Sequence, residues 1–387
     1  GLTVVDTATH WSGFGHFVIL ILIQLGGLGI VAFATLLGLL ISGRISLRDR
    51  MNTLSEAKIV GADNVSKLLG RILLVYFGFE LILAAYLSIR LHFSYGEEVL
   101  HSIWYGTFHS ISAFNNGGFS LYTDSMMGFS QDMFFIAPVM LAVIVGGLGF
   151  PVLIELHERL WRLRVQPGGK PKRFSLHTRL TLWMTISLIG LGALFIGLLE
   201  WNNPGTLGGL NTWDKLVNTL FSAVMPRSGG FNSIDISLMD PATWLGIDLL
   251  MFIGGGSAST AGGIKVTTIA VLIFIVYTEI RGETAVNVGN RRLPRSIQRQ
   301  ALTLVALSTT AILGTTLLFA ATTDFSLDEI LFDVVSAAAT VGLSTGITAE
   351  LPAFHQFWLA LLMFVGRLGP VVVASALALR ITKRHYE

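Results

Sequence analysis

The sequence has no cysteine, which excludes disulfide scaffolds and thiolate metal sites. Charge is scarce as well. Asp, Glu, Lys and Arg make up 13% of the 387 residues, against 52% hydrophobic residues and a mean hydropathy of +0.68. Soluble domains carry about 25% charged residues, so the polar surface of a water-soluble globule is missing. The net charge of +2 is no footprint for a nucleic acid partner. No secretory signal peptide appears in the residues given, and the period-two alternation of a membrane barrel is absent. The chain opens on Gly1 rather than Met, as expected of a sequence whose own start lies further upstream.

Long apolar runs take the place of the missing charge. Seven lie near 16–42, 72–89, 133–154, 180–199, 242–278, 301–323 and 353–379. About 20 helical residues cross a hydrocarbon core. Lipid offers a backbone no hydrogen bonds, so each run is expected to be helical. Basic residues gather in alternate connections. Arg44, Arg48, Arg50, Lys58, Lys67 and Arg71 share the first, and Arg159, Arg162, Arg164, Lys170, Lys172, Arg173 and Arg179 the second. Arg281, Arg291, Arg292, Arg295 and Arg299 share the third, and Arg380, Lys383 and Arg384 end the chain. The connections between them are acidic, with Glu97, Glu98, Asp132, Glu200, Asp240, Asp324 and Glu350 among their residues. The positive-inside bias puts the basic loops in the cytoplasm and the acidic face outside, where it concentrates cations modestly.

The outward connections resemble one another. A short amphipathic segment leads into a glycine turn in each: Asn115-Asn116-Gly117-Gly118-Phe119, Arg227-Ser228-Gly229-Gly230-Phe231 and Ala339-Thr340-Val341-Gly342-Leu343. Phe108, Phe221 and Phe332 precede the last glycine by ten, nine and ten residues. Gly1-Leu2-Thr3 reads as the tail of a fourth turn. Gly1 to Gly118 is 117 residues, and the next two intervals are 112 each. A second landmark follows each turn: Gly26-Gly27-Leu28-Gly29, Gly146-Gly147-Leu148-Gly149, Gly254-Gly255-Gly256 and Gly366-Arg367-Leu368-Gly369. Two landmarks recurring in step signal an internal repeat, whereas a single glycine turn reads as an ordinary helix connection.

The expected fold is therefore an all-α integral membrane protein of four pseudo-symmetric helix–pore-loop–helix repeats around one pore. The repeats fall at 1–43, 66–162, 177–282 and 298–384, the first holding only its filter end and second helix. Non-helical backbone at membrane depth survives only where it is buried in protein or lines a cavity. Four such loops on one axis would offer rings of carbonyl oxygens in place of an ion's hydration shell. Glycine suits them because it reaches φ > 0 without a Cβ clash. The candidate filter is Gly1, Asn116, Gly117, Gly118, Ser228, Gly229, Gly230, Thr340, Val341 and Gly342, binding K⁺ through backbone carbonyls and no other metal.

Two features below that level read as control elements. The run 242–278 is too long for one span, and Gly254-Gly255-Gly256-Ser257-Ala258-Ser259-Thr260-Ala261-Gly262-Gly263 in its middle makes a poor helix. This segment is expected to be an intramembrane gate ending near Lys265, against the alternative of small residues packing helices closely. Lys265 itself also reads as a snorkelling side chain. Arg367 lies inside the last run, where a charge costs about 2.5–3.5 kcal/mol. In the slot of Gly26, Gly146 and Gly254, it is expected to face the ion path as a barrier. The alternative is an ion pair with Asp248 or Asp333.

The glycine turns, together with the segments 203–208, 256–260 and 366–370, resemble the bacterial superfamily of K⁺ transporters that includes Trk, Ktr and HKT proteins, and Ktr membrane subunits in particular. The resemblance covers essentially the whole chain. It implies K⁺ uptake across the bacterial cell membrane through four filter glycines, matched by Gly1, Gly118, Gly230 and Gly342. It also implies an intramembrane gating loop, a pore arginine at Arg367, a homodimer with one pore per protomer, and a cytosolic nucleotide-binding regulatory ring (KtrA-like). Na⁺ is implied as an activator, with no tightly bound cofactor. Gly117 stands where relatives commonly have Ala. Competing classes are a secondary carrier for another cation or small solute, which usually pairs two inverted halves, and an intramembrane enzyme. His109 and His157 are the obvious histidines for the latter, but no metal-spaced set surrounds them.

Overall fold

The computed structural model describes residues 2–28, 65–165, 174–283, 285–288 and 291–368. Gly1, most of the first basic connection, the tail from 369 and residues 29–42 of the first apolar run lie outside the described residues. The helices in chain order are α1 (Thr7–His10), α2 (Gly13–Leu28), α3 (Val65–Tyr95), α4 (Val99–Phe114), α5 (Met133–Leu148), α6 (Phe150–Val165) and α7 (Leu176–Glu200). They continue with α8 (Thr212–Val224), α9 (Pro241–Phe252), α10 (Val266–Ile280), α11 (Arg295–Ala320), α12 (Leu327–Ala339) and α13 (Ala353–Leu368). The protein is all-α: a two-residue hairpin pairing Asn287–Val288 with Arg291–Arg292 is the only sheet among the described residues.

Among the described residues, three helices are long and apolar enough to cross a membrane: Ile72–Tyr95, Leu176–Glu200 and Arg295–Ala320. Only 28%, 17% and 22% of their most apolar stretches are buried in protein. The remaining apolar side chains, Leu81, Trp183 and Leu317 among them, point outward and require lipid. Shorter apolar helices, α2, α9, α10 and α13, complete the set.

The run 133–154 is not one straight helix. It breaks at Gly149, and α6 leaves α5 at 107°. Gly149 has φ +93, a conformation that L side chains rarely adopt, and a Cβ there would overlap the Ser257 carbonyl. Pro151, in the first turn of α6, suits a helix start because its missing N–H is needed by no carbonyl there. The bend makes room for the glycine-rich segment: Phe150 N donates to Ala258 O at 3.0 Å.

The short helices α4, α8 and α12 follow the long helices α3, α7 and α11 and pack on them. Each also packs on the helix that leaves the preceding turn: α4 on α2, α8 on α5, and α12 on α9. Phe108, Phe221 and Phe332, the aromatic marks of the sequence, are each fully buried in these contacts. Side chains close the outer helix starts. Asn211 caps α8 and Ser326 forms a capping box with Glu329 on α12, while Asp132 and Asp240 cap α5 and α9. Each such cap is worth about 1 kcal/mol.

Candidate ion path

The three described glycine turns share one backbone pattern. Two left-handed residues flank one that is not: Asn116 (φ 54) and Gly118 (φ 71), Ser228 (φ 75) and Gly230 (φ 73), Thr340 (φ 53) and Gly342 (φ 97). Asparagine tolerates this region, but serine and β-branched threonine do not, so the surroundings must hold them there at about 1–3 kcal/mol each. Each short helix supplies an anchor. Gly117 N donates to Ser112 O (2.7 Å), Gly229 N to Met225 O (2.8 Å) and Val341 N to Ser336 O (2.9 Å).

The turns also touch. A Cβ on Gly118 would lie 2.8 Å from the Gly230 Cα, and one on Gly230 would lie 2.5 Å from the Val341 carbonyl oxygen. The second turn thus abuts the third and the third abuts the fourth, with backbone against backbone. These contacts leave no room for a side chain at Gly118 or Gly230.

Chemistry differs where the chain leaves each turn. Asp333 accepts from the Ser344 hydroxyl (2.8 Å), from Thr345 N (3.1 Å) and Oγ1 (3.3 Å), and from the Thr348 hydroxyl. His109 does the same work on the second turn. Its Nε2 accepts from Leu121 N at 3.3 Å, which leaves Nδ1 to carry the proton donated to Tyr105 O at 2.8 Å. Both ring nitrogens are therefore structural, and His157 stacks on Trp161.

Behind the second turn lies a carboxylate that sequence reasoning missed. Glu80, 4% exposed in the middle of α3, accepts from Gln24 Nε2 (2.9 Å) and Asn115 Nδ2 (2.8 Å). It joins α2, α3 and the end of α4. An ionisable residue in the middle of the run 72–89 was the available signal.

The segment 254–263 is a loop, not a helix. It is closed at its base by Gly254 N donating to Ile264 O (2.9 Å) and Val266 N to Gly255 O (3.0 Å). It lies against all three turns or their helices. Gly256 N donates to Gly147 O (2.7 Å), Thr260 Oγ1 to Phe114 O (3.2 Å) and Gly262 N to Ser228 Oγ (2.8 Å). Ser257 Oγ meets Thr267 Oγ1 at 3.0 Å, Ser259 Oγ donates to Gly256 O at 2.7 Å, and Ala258 takes φ 55. Side chains at Gly255, Gly256 or Gly262 would overlap neighbouring atoms, which explains the composition better than flexibility alone. Lys265 Nζ donates to Ala261 O at 2.6 Å, so its ammonium turns back onto the loop rather than snorkelling.

Arg367 makes no ion pair with Asp248 or Asp333. Its guanidinium donates to the carbonyls of Thr260 and Gly26, joining the loop to the end of α2. Its slot is also one residue further along than the spacing suggests. Gly366 and Gly146 are the pair packed against carbonyls in the last turns of their short helices, Ala338 and Phe114, so Arg367 corresponds to Gly147. A buried arginine also escaped the sequence reading: Arg227, 7% exposed, donates to Gly254 O and Thr185 Oγ1, both at 3.3 Å.

Apolar helices with lipid-facing sides, packed around glycine turns, define a multi-pass membrane protein. Residues 1–383 match the TrkH family, described as a cation transport protein, and the chain belongs to that family. It is therefore a cation transporter by descent and not an enzyme. It is 38% identical to the Ktr system potassium uptake protein B of Bacillus subtilis, over 98% of this chain and 82% of that protein. It is 34% identical to the Vibrio alginolyticus protein of the same name, over 98% and 81%. The potassium/sodium uptake protein NtpJ of Enterococcus hirae is 32% identical over 98% and 82%. The crystal structure of the potassium transporter TrkH from Vibrio parahaemolyticus shares the fold, with a TM-score of 0.72 at 16% identity, over 95% of this chain and 73% of that one.

Proposed function

We propose that this chain is the pore-forming, gated subunit of a Ktr-type K⁺ uptake system. In this reading, four repeats surround one path, and Asn116–Gly118, 228–230 and 340–342, with Gly1, form the filter. The observation that carries it is the recurrence of one left-handed pattern in three turns that meet backbone to backbone. Left-handed residues on either side of another rotate successive carbonyls, and a ring of such oxygens replaces the water a K⁺ ion sheds on entry. The short helices add the negative ends of their dipoles.

The loop 254–263 is the gate, because it lies across the inner ends of the short helices and is held by side-chain bonds that can be exchanged for water. Arg367 is a barrier beside it, a fixed positive charge that raises the energy of a passing cation. The names of the relatives support K⁺ as the cargo, and the Ktr systems they belong to support a partner subunit. A homodimer, a cytosolic nucleotide-binding ring on the basic face, and Na⁺ activation complete the proposal from family resemblance.

The decisive experiment is ⁸⁶Rb⁺ uptake into proteoliposomes with and without competing Na⁺, for the intact chain and for Gly118→Ser and Gly342→Ser. The expected result is Rb⁺ uptake resistant to Na⁺ in the intact chain and a lost preference in the variants. Unchanged ion ratios in both variants would overturn the filter assignment.

A further inference from the structure

Two adjacent residues of the third turn grip both ends of the loop below. Arg227 donates to the carbonyl of Gly254, the loop's first residue. The Ser228 hydroxyl accepts from the backbone N–H of Gly262, near its last, at 2.8 Å. That hydroxyl has one proton, and with a lone pair engaged by Gly262 it is donated to the carbonyl of Thr340 at 3.0 Å. A continuous relay thus runs from the loop through the third turn into the fourth.

We propose that Ser228 is a positioning residue through which the closed loop fixes the fourth turn, so that release of the loop changes ion selectivity as well as flux. The inference rests on the filter and gate assignments above and deepens them. Four observations carry it. Ser228 is 1% exposed, so no bulk water competes for its hydroxyl. Its oxygen lies 3.0 Å from Thr340 O and 3.5 Å from Ala339 O, so a second acceptor is at hand once Gly262 departs. Thr340 is a β-branched residue in the left-handed region (φ 53), and its own hydroxyl is buried without a hydrogen-bond partner. Such a residue relaxes when its restraints are loosened. Gly262 packs so closely on Thr340 that a Cβ on it would overlap the threonine hydroxyl, so loop and turn cannot move independently.

The relay is peculiar to this turn. The matching residue of the second turn, Asn116, points its amide at Val143 O and Ala113 O, each 3.2 Å from its nitrogen once the amide is turned to donate, and makes no bond to the loop among the described residues. Opening would therefore disturb the fourth turn before the second.

The test is a double-mutant cycle in proteoliposomes, reading the ratio of initial ⁸⁶Rb⁺ to ²²Na⁺ uptake. The variants are Ser228→Ala, deletion of 257–262, and the two combined. Loss of one buried hydrogen bond predicts about a tenfold fall in the ratio for Ser228→Ala, and a similar fall for the deletion. The combination should fall no further, because both break the same relay. Ser228→Gly, which takes φ 75 without strain, should repeat the alanine result.

Equal falls from Ser228→Ala in the intact and deleted chains would overturn the inference, since Ser228 would then act on the filter alone. Faster flux with an unchanged ratio in Ser228→Ala would also overturn it, leaving only a latch. A deletion that neither raises flux nor changes the ratio removes the gate reading itself, and that outcome is distinct from both.

Discussion

The second and fourth turns adopt the same backbone but are held by opposite chemistry. Asn116–Gly118 is backed by a histidine whose Nε2 meets Leu121 N and the Ser120 hydroxyl, whereas 340–342 is backed by a carboxylate taking hydrogen bonds from three residues. Below them the contrast repeats. The helix after the second turn has Gly147 where the helix after the fourth has Arg367, and both sites bond the same loop, one through its backbone carbonyl and one through its guanidinium. What recurs along this chain is geometry, enforced by glycine at points of backbone contact. The supporting residues are free to differ, and their differences distribute strength unevenly around the path.

The largest expected effect tests the part that is shared. Gly118→Ala and Gly230→Ala each put a methyl 2.8 Å from the other glycine's Cα, on residues with φ 71 and φ 73. Strain at the upper end of about 1–3 kcal/mol predicts roughly a hundredfold loss of Rb⁺ uptake in both. Proteoliposome uptake at matched protein density measures it. If one variant kept wild-type uptake, the turns would not be equivalent.

The next effect tests the part that differs. Asp333→Ala strands Ser344, Thr345 and Thr348, and hydrogen bonds to a charged group contribute about 1.5–3 kcal/mol each. His109→Ala strands Leu121 N and the Ser120 side, a loss of about 1–2 kcal/mol. Thermal unfolding of the detergent-solubilised protein should therefore fall further for Asp333→Ala. Equal shifts would mean that the carboxylate adds no more than the imidazole does.

The shared geometry was more legible than the supports. The Phe-to-Gly spacing located all three described turns because each turn places a small residue at a fixed distance from the buried aromatic of its short helix. The segment 254–263 was legible because ten small residues interrupt an apolar run. The break at Gly149 was not, although Gly149 and Pro151 flank it, because the bend is decided by the loop packed against it. The bonds of Arg367 were missed for a similar reason: its partners are backbone carbonyls, Thr260 O and Gly26 O, and a carbonyl leaves no mark in a sequence. Glu80 and Arg227 were visible as charges within apolar or glycine-rich stretches. Their partners, Gln24 and Asn115 for one and Gly254 O for the other, come from distant parts of the chain.

The smallest effect concerns the Gly147–Arg367 pair and separates two roles for the arginine. Arg367→Gly makes α13 match α5, removing both the charge and the two carbonyl contacts. Initial Rb⁺ uptake should rise about tenfold, the equivalent of about 1.4 kcal/mol. Arg367→Lys keeps the charge but lacks the planar fork that bridges two acceptors. If the charge sets the barrier, the lysine variant stays slow. If the tether to Thr260 O and Gly26 O holds the loop shut, the lysine variant is as fast as the glycine one. Uptake unchanged in both would leave Arg367 with neither role, and Gly147 and Arg367 would then be interchangeable.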